Sequence, residues 1–164
     1  MKHPICQTRN DVPVYVDLIH SQAAAHIAQQ PYLLELVKEA LAHTAVSKTK
    51  LNIERDMGRP IGYDFVVQTT DKDTILYARQ LREDTFTRFV KNGQPLPTPY
   101  LTVILRHGDD DTYELHDTWI GRANPPRPGS ENETVESRPY WENHAFILDN
   151  RRMQLRTMTK VCPY

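Results

Sequence analysis

Two alternating runs constrain this chain most. They are Tyr100–His107 (YLTVILRH) and residues 112–121 (TYELHDTWIG), separated by Gly108-Asp109-Asp110-Asp111. In the first run Leu101, Val103 and Leu105 fall on one side, and Tyr100, Thr102, Ile104 and Arg106 on the other. That period of two belongs to an extended strand. A short polar link between two such runs predicts an antiparallel hairpin. With those four residues as the loop, Tyr100 faces Trp119, Ile104 faces Leu115 and Val103 faces His116. A slip of one residue turns each of these side chains to the opposite face.

The remaining segments are read against that hairpin. Asp17 can cap a helix over residues 18–29 by accepting the orphan amides of the first turn. Pro31 suits the first turn of a second helix over 31–43, where its missing N–H costs nothing. That helix carries Leu33, Leu34, Val37, Ala40 and Leu41 on one stripe. From Leu51 the period becomes alternating, with Leu51 and Ile53 set against Asn52 and Glu54. Residues 61–68 and 74–81 read as a hairpin around 69–73, and 85–91 as a further strand. The proline-rich 94–99 is an extended connector. Residues 124–130 form a surface loop, and Ser137 opens a short helix bearing Tyr140, Trp141, His144, Ala145 and Leu148. Pro13 argues against a central strand in residues 1–16. The expectation is an α+β fold, with N-terminal helices packed on a mainly antiparallel sheet of about five strands and a short late helix. It forms a single domain over 1–164, with its core at 17–150 and with 1–16 and 151–164 peripheral.

At 164 residues and 39% hydrophobic content the chain can bury one core. Its net charge of −1 gives no global field to attract nucleic acid. The cations cluster locally, as Arg79, Arg82, Arg88 and Lys91 and again as Arg151, Arg152, Arg156 and Lys160. No apolar run has the length of a signal peptide or a membrane span, so the expected setting is cytoplasmic with no membrane partner. Cys6 and Cys162 are then reduced thiols. No metalloprotease, paired CxxC, P-loop, GxSxG or dinucleotide fingerprint is present. His20 and His26 lie six apart, about 240° around a helix, and make a poor ligand pair. Neither metal nor cofactor is expected.

What remains is a dispersed acid–base set: His20 or His26 on the first helix, Arg79 and Arg88 on middle strands, and His116, Asp117 and Thr118 on the last. Cleaving RNA without a metal needs a base for the ribose hydroxyl, an acid for the leaving oxygen and a cation for the phosphoryl charge. Histidine titrates near neutrality and serves the first two roles. Arginine's planar fork serves the third.

Two resemblances follow. ERDMGRPIG, TTDKDTILYARQL, DTFTRFVKN, YLTVILR, TYELHDTWIGR and SRPYWENHAFI, spread over residues 51–148, resemble a family of small bacterial proteins that carries no assigned activity. More broadly, a helix with a histidine, a helix ending in LLELVKEALAH and successive strands closing on a hairpin are similar to the barnase–EndoU–colicin–RelE superfold, in its phage-associated branch. That resemblance implies a metal-independent endoribonuclease, often a toxin or effector, with RNA as substrate and a protein partner such as an inhibitor. Its helix histidine falls on His26 (or His20), its strand cation on Arg79 with Arg88 second, and its late hydroxyl on Asp117 with Thr118 adjacent. Asp117 departs from the expected Ser or Thr, and Ile120-Gly121 stands where proline is common. Two other readings of the residues stay open: a non-enzymatic protein-binding domain, and a small-molecule enzyme with a pocket between the late helix and the sheet.

Overall fold

The computed structural model describes residues 1–164. In chain order its elements are β1 (Lys2–Gln7), β2 (Pro13–Asp17), α1 (Gln22–Gln29), α2 (Tyr32–Ala42), β3 (Asn52–Asp56), β4 (Gly62–Asp64), β5 (Val66–Gln68), β6 (Thr74–Arg79), β7 (Phe86–Lys91), β8 (Leu96–Thr98), β9 (Tyr100–His107), β10 (Tyr113–Ile120), α3 (Ser137–Trp141) and β11 (His144–Ile147). The chain divides into two compact units, Met1–Tyr63 with Pro97–Ala123, and Asp64–Leu96 with Asn124–Tyr164.

The expected α+β arrangement, with N-terminal helices on one five-stranded sheet, is corrected. Strand accounts for 38% of the residues and helix of all kinds for 18%. The strands form three sheets, ordered β1-β2-β10-β9-β3, β5-β11-β7-β6 and β4-β8. Prolines explain part of the difference. Pro13 is the first residue of β2, where a strand can begin without the missing amide. Pro4 sits in edge strand β1 beside a register shift between Pro4 and Cys6, which again asks for no ladder donor. Residues 1–16, expected to be peripheral and without a central strand, contribute β1 and most of β2. The late helix stops at Trp141, and His144–Ile147 continues as β11.

In the first unit β9 and β10 pair antiparallel, β3 joins the far side of β9, and β2 runs parallel to β10. The register differs from the expected one. Leu115 faces Leu105, and beyond a bulge at His116 the pairs are Asp117 with Ile104, Thr118 with Val103 and Trp119 with Thr102. The loop is longer than four residues, which moves the register by one, and the bulge moves it by one more. Asp17 accepts the backbone N–H groups of Ile19 (2.9 Å) and His20 (3.0 Å). These two amides hold its carboxyl well below the usual carboxylate range, His20 first. The cap of α1 is Ser21, whose Oγ accepts Ala24 N–H at 3.1 Å. Leu33, Val37 and Leu41 of α2 share one apolar cluster with Val14, Val103 and Leu115, all six nearly or fully buried.

In the second unit β6 pairs with β7, and β5 pairs with β11, which itself runs parallel to β7. The hairpin expected between 61–68 and 74–81 does not form, because each of those strands has a different neighbour. Ala78, Phe89 and Met153 centre its core, with Phe146 and Leu148 against them. Arg127 anchors the proline-rich loop, donating to Thr87 Oγ1 at 2.8 Å and also to Gln80 and Glu83.

Leu41 is fully buried while Leu34, on the same expected stripe, only packs against the cluster from outside. Leu41→Ala should lower the unfolding free energy by about 2–5 kcal/mol, the range for emptying a closed aliphatic site. Leu34→Ala should cost clearly less. Chemical denaturation of both variants checks this, and equal losses would contradict the packing.

Candidate functional site

The site is built on the bulge in β10. Strand β2 pairs with β10 only from Tyr113 to Leu115, and α1 packs against β10, reaching it at Asp117. A bulge places an unpaired extra residue in a strand and re-aims its neighbours. Here the extra residue is His116, and the re-aimed neighbour is Asp117. His26, on α1, lies 2.9 Å through Nδ1 from Asp117 Oδ1. The same oxygen accepts the backbone N–H of Thr118 at 2.8 Å. The carboxylate is thus fixed from two sides. Its side chain is 16% exposed, whereas that of His26 is 44% exposed.

A carboxylate can only accept, so the short contact places the shared hydrogen on His26 Nδ1. In the neutral imidazole that tautomer leaves the lone pair on Nε2. The carboxylate also stabilises the imidazolium that forms when Nε2 takes a proton. The arrangement couples a largely shielded carboxylate to a more exposed imidazole. His116, next in the strand, is held neutral to lower pH than an ordinary histidine, chiefly by desolvation and then by the nearby Arg106 guanidinium.

The other expected site residues are accounted for as follows. Thr118 is fully buried, and its hydroxyl donates to the Thr102 carbonyl at 2.8 Å. His20 pairs with Asp17 at 3.1 Å on an exposed turn. Arg79 and Arg88 belong to the second unit. The Arg79 guanidinium stands 5.1 Å over the Phe86 ring, and its Nε is buried with no hydrogen-bond partner. Arg88 is 9% exposed and donates to Thr69 Oγ1 (2.7 Å) and the His144 carbonyl (3.1 Å). So the structure joins His26 to Asp117 directly, while the two arginines have their partners within their own unit. Alternation could not reveal the bulge that makes the pair, since it is an interruption of that same alternation.

No group of three or more His, Cys, Asp or Glu side chains is arranged to hold a metal ion. Both cysteines are free thiols. No helix is long and apolar enough to cross a membrane. Comparison with protein-family models, characterised proteins and solved structures gives no match to this chain.

The surroundings of His116 predict its titration. Its imidazole should titrate below 6.5, and Arg106→Gln should bring it part of the way back, leaving the larger desolvation effect in place. Because the folded state disfavours the proton, the unfolded chain binds it more readily. This contribution to stability is complete above about pH 6.5 and is lost as pH falls through the lowered value. Two-dimensional NMR of the imidazole resonances over pH 5–8 checks the direction. A His116 midpoint above 6.5 would contradict it.

Proposed function

We propose that this protein cleaves RNA without a metal, with His26 as the general base and Asp117 as the group that orients it. The observation that carries the proposal is the 2.9 Å contact between an accessible imidazole and a largely shielded carboxylate that is itself fixed by the Thr118 amide. His26 Nε2 takes the proton of a ribose 2′-hydroxyl. The freed oxygen bonds to the adjacent phosphorus as the bond from phosphorus to the 5′-oxygen breaks, that oxygen takes a proton from water, and the resulting hydroxide takes the proton held on His26 Nε2. The products are a 2′,3′-cyclic phosphate and a 5′-hydroxyl. The resemblance of the helix histidine and late-strand residue to a metal-independent endoribonuclease superfold supports RNA as the substrate.

Asp117 stands where that superfold places a hydroxyl. A carboxylate exposed to substrate would repel phosphate. Asp117 is mostly buried and hydrogen-bonded to His26, which gives it an orienting role instead.

The test is incubation of the purified protein with an oligoribonucleotide in EDTA, beside the all-deoxy oligomer. The ribo-oligomer should be cut to cyclic-phosphate ends and the deoxy-oligomer left intact. His26→Ala should slow cleavage by about 10²–10⁴-fold, the usual cost of losing a positioned acid–base group. Asp117→Asn should also slow it, because an amide can donate and so allows the wrong imidazole tautomer. Circular dichroism of both variants controls for folding. Undiminished cleavage by His26→Ala would remove the pair from catalysis.

A further inference from the structure

Residues 150–164 contain Arg151, Arg152, Arg156 and Lys160 and no Asp or Glu, within a chain whose net charge is −1. All four cations are exposed. Asp149 is the one carboxylate paired with any of them, lying 3.4 Å from Arg151 and 3.6 Å from Arg152. The segment is not a loose tail. Met153 is 3% exposed and part of the second unit's core. Gln154 N–H donates to the Arg79 carbonyl at 2.8 Å, and its side-chain amide donates to the Gln80 carbonyl at 2.9 Å. Tyr77 and Thr159 exchange two backbone hydrogen bonds of 2.8 Å each. Residues that face β6 thus anchor the segment, and the four exposed cations flank these anchor points on an ordered frame.

We infer that this strip is an anion-binding surface of the second unit and that its ligand is the backbone of single-stranded RNA. The inference takes its choice of RNA from the reading above and asks nothing of the His26–Asp117 pair. Three of the four cations are arginines, whose planar forks match phosphate oxygens in two-point contacts. An ordered strip also loses less side-chain and backbone freedom on binding than a mobile one would. Tyr164 lies edge-on to Tyr77 at 5.9 Å, with the Arg138 guanidinium 5.9 Å over its ring. This aromatic group belongs to the same segment, and sequence-tolerant binding of single strands combines such rings with a basic track. An anionic membrane surface is the other polyanion to consider, since Leu155 and Val161 are exposed beside the cations. Membrane-surface segments of this composition work as amphipathic helices. Here the backbone is held in two three-residue 3-10 turns and bridged to Tyr77 and Gln80, so it forms no amphipathic helix.

The experiment measures anisotropy of a short fluorescent 2′-O-methyl oligouridylate, which no attack by a 2′-oxygen can cleave, between 50 and 200 mM salt. Wild-type affinity should fall with salt with a log–log slope of about −3, the value for four phosphates on a single strand. The variant R151Q/R152Q/R156Q/K160Q should bind about tenfold or more weakly at the lower salt, with its slope moved toward zero. R156Q/K160Q should lose about half of the slope and guards against misfolding of the larger variant. K48Q/K50Q, in the first unit, should bind as wild type does. The inference is overturned by equal affinity of wild type and the four-residue variant, by an equal loss in the K48Q/K50Q control, or by no wild-type binding. It is also overturned if the substitutions abolish binding to phosphatidylserine vesicles and leave RNA binding intact. Binding lost in these variants with cleavage at saturating RNA retained would separate the strip from the catalytic pair. Binding retained in His26→Ala with cleavage lost would separate them from the other direction.

Discussion

Strand β10 has a neighbour on one side for only part of its length, and the first unit is arranged around that constraint. Its residues pair with β9 from Tyr113 to Ile120 except at the bulged His116, but β2 covers only Tyr113–Leu115 before Asp17 ends the strand. A longer β2 would have continued the ladder and left no room for a helix. Instead Asp17 turns the chain by accepting two backbone amides, Ser21 caps the next helix, and α1 packs on β10, meeting it at Asp117 just past the end of the β2 ladder. The bulge at His116 falls at this change of partner. There the strand no longer has to match β2, and an unpaired residue does not break a second ladder.

The contact between His26 and Asp117 follows from this geometry and also helps to hold it. A carboxylate buried to this extent carries a desolvation cost unless it is hydrogen-bonded. Asp117 receives one bond from its own strand and one from α1. Its satisfaction therefore depends on the helix lying where it does. A purely structural histidine could meet the same need, and what distinguishes His26 is its exposure. The carboxylate end of the pair is shielded and fixed, and the imidazole end reaches solvent.

Much of the central hairpin was legible in the sequence because its signal is local. Leu101, Val103 and Leu105 alternate with Tyr100, Thr102, Ile104 and Arg106, and those three are buried in the structure. The helix over 31–43 was legible for the same reason, through the stripe that includes Leu33, Val37 and Leu41. What was hidden depended on partners distant in sequence. Val66–Gln68 reads like the first arm of a hairpin with Thr74–Arg79, but its partner is His144–Ile147, some eighty positions away. Residues 2–17 carry prolines that weaken any strand signal, yet both prolines fall where a strand tolerates them. His26 and Asp117 were both picked out from chemistry, but their contact spans 91 positions and rests on a bulge that breaks the period used to read the strand. Arg79 and Arg88 were chosen as a phosphate site by guanidinium chemistry and resemblance, and nothing local reveals that Arg88 is held by Thr69 and a main-chain carbonyl.

The two arginines in fact show why charge counts alone say little about this protein. Arg88 is a buried cation whose hydrogen bonds go to a hydroxyl and a carbonyl, so its charge serves the packing of β7 against β11 and β5. Arg127 is similarly enclosed, gripping Glu83, Gln80 and Thr87 to hold a loop. Charges committed in this way are poor ligands for a mobile polyanion, because each would first have to break bonds that the fold depends on. The cations at Arg151, Arg152, Arg156 and Lys160 differ: the segment is anchored through Met153, Gln154 and Thr159, none of which is charged. Apart from the pairing of Arg151 and Arg152 with Asp149, their positive field is not drawn on to anchor the segment. A near-neutral chain can hold a local basic surface when its uncharged residues do the anchoring, as they do along the edge of β6.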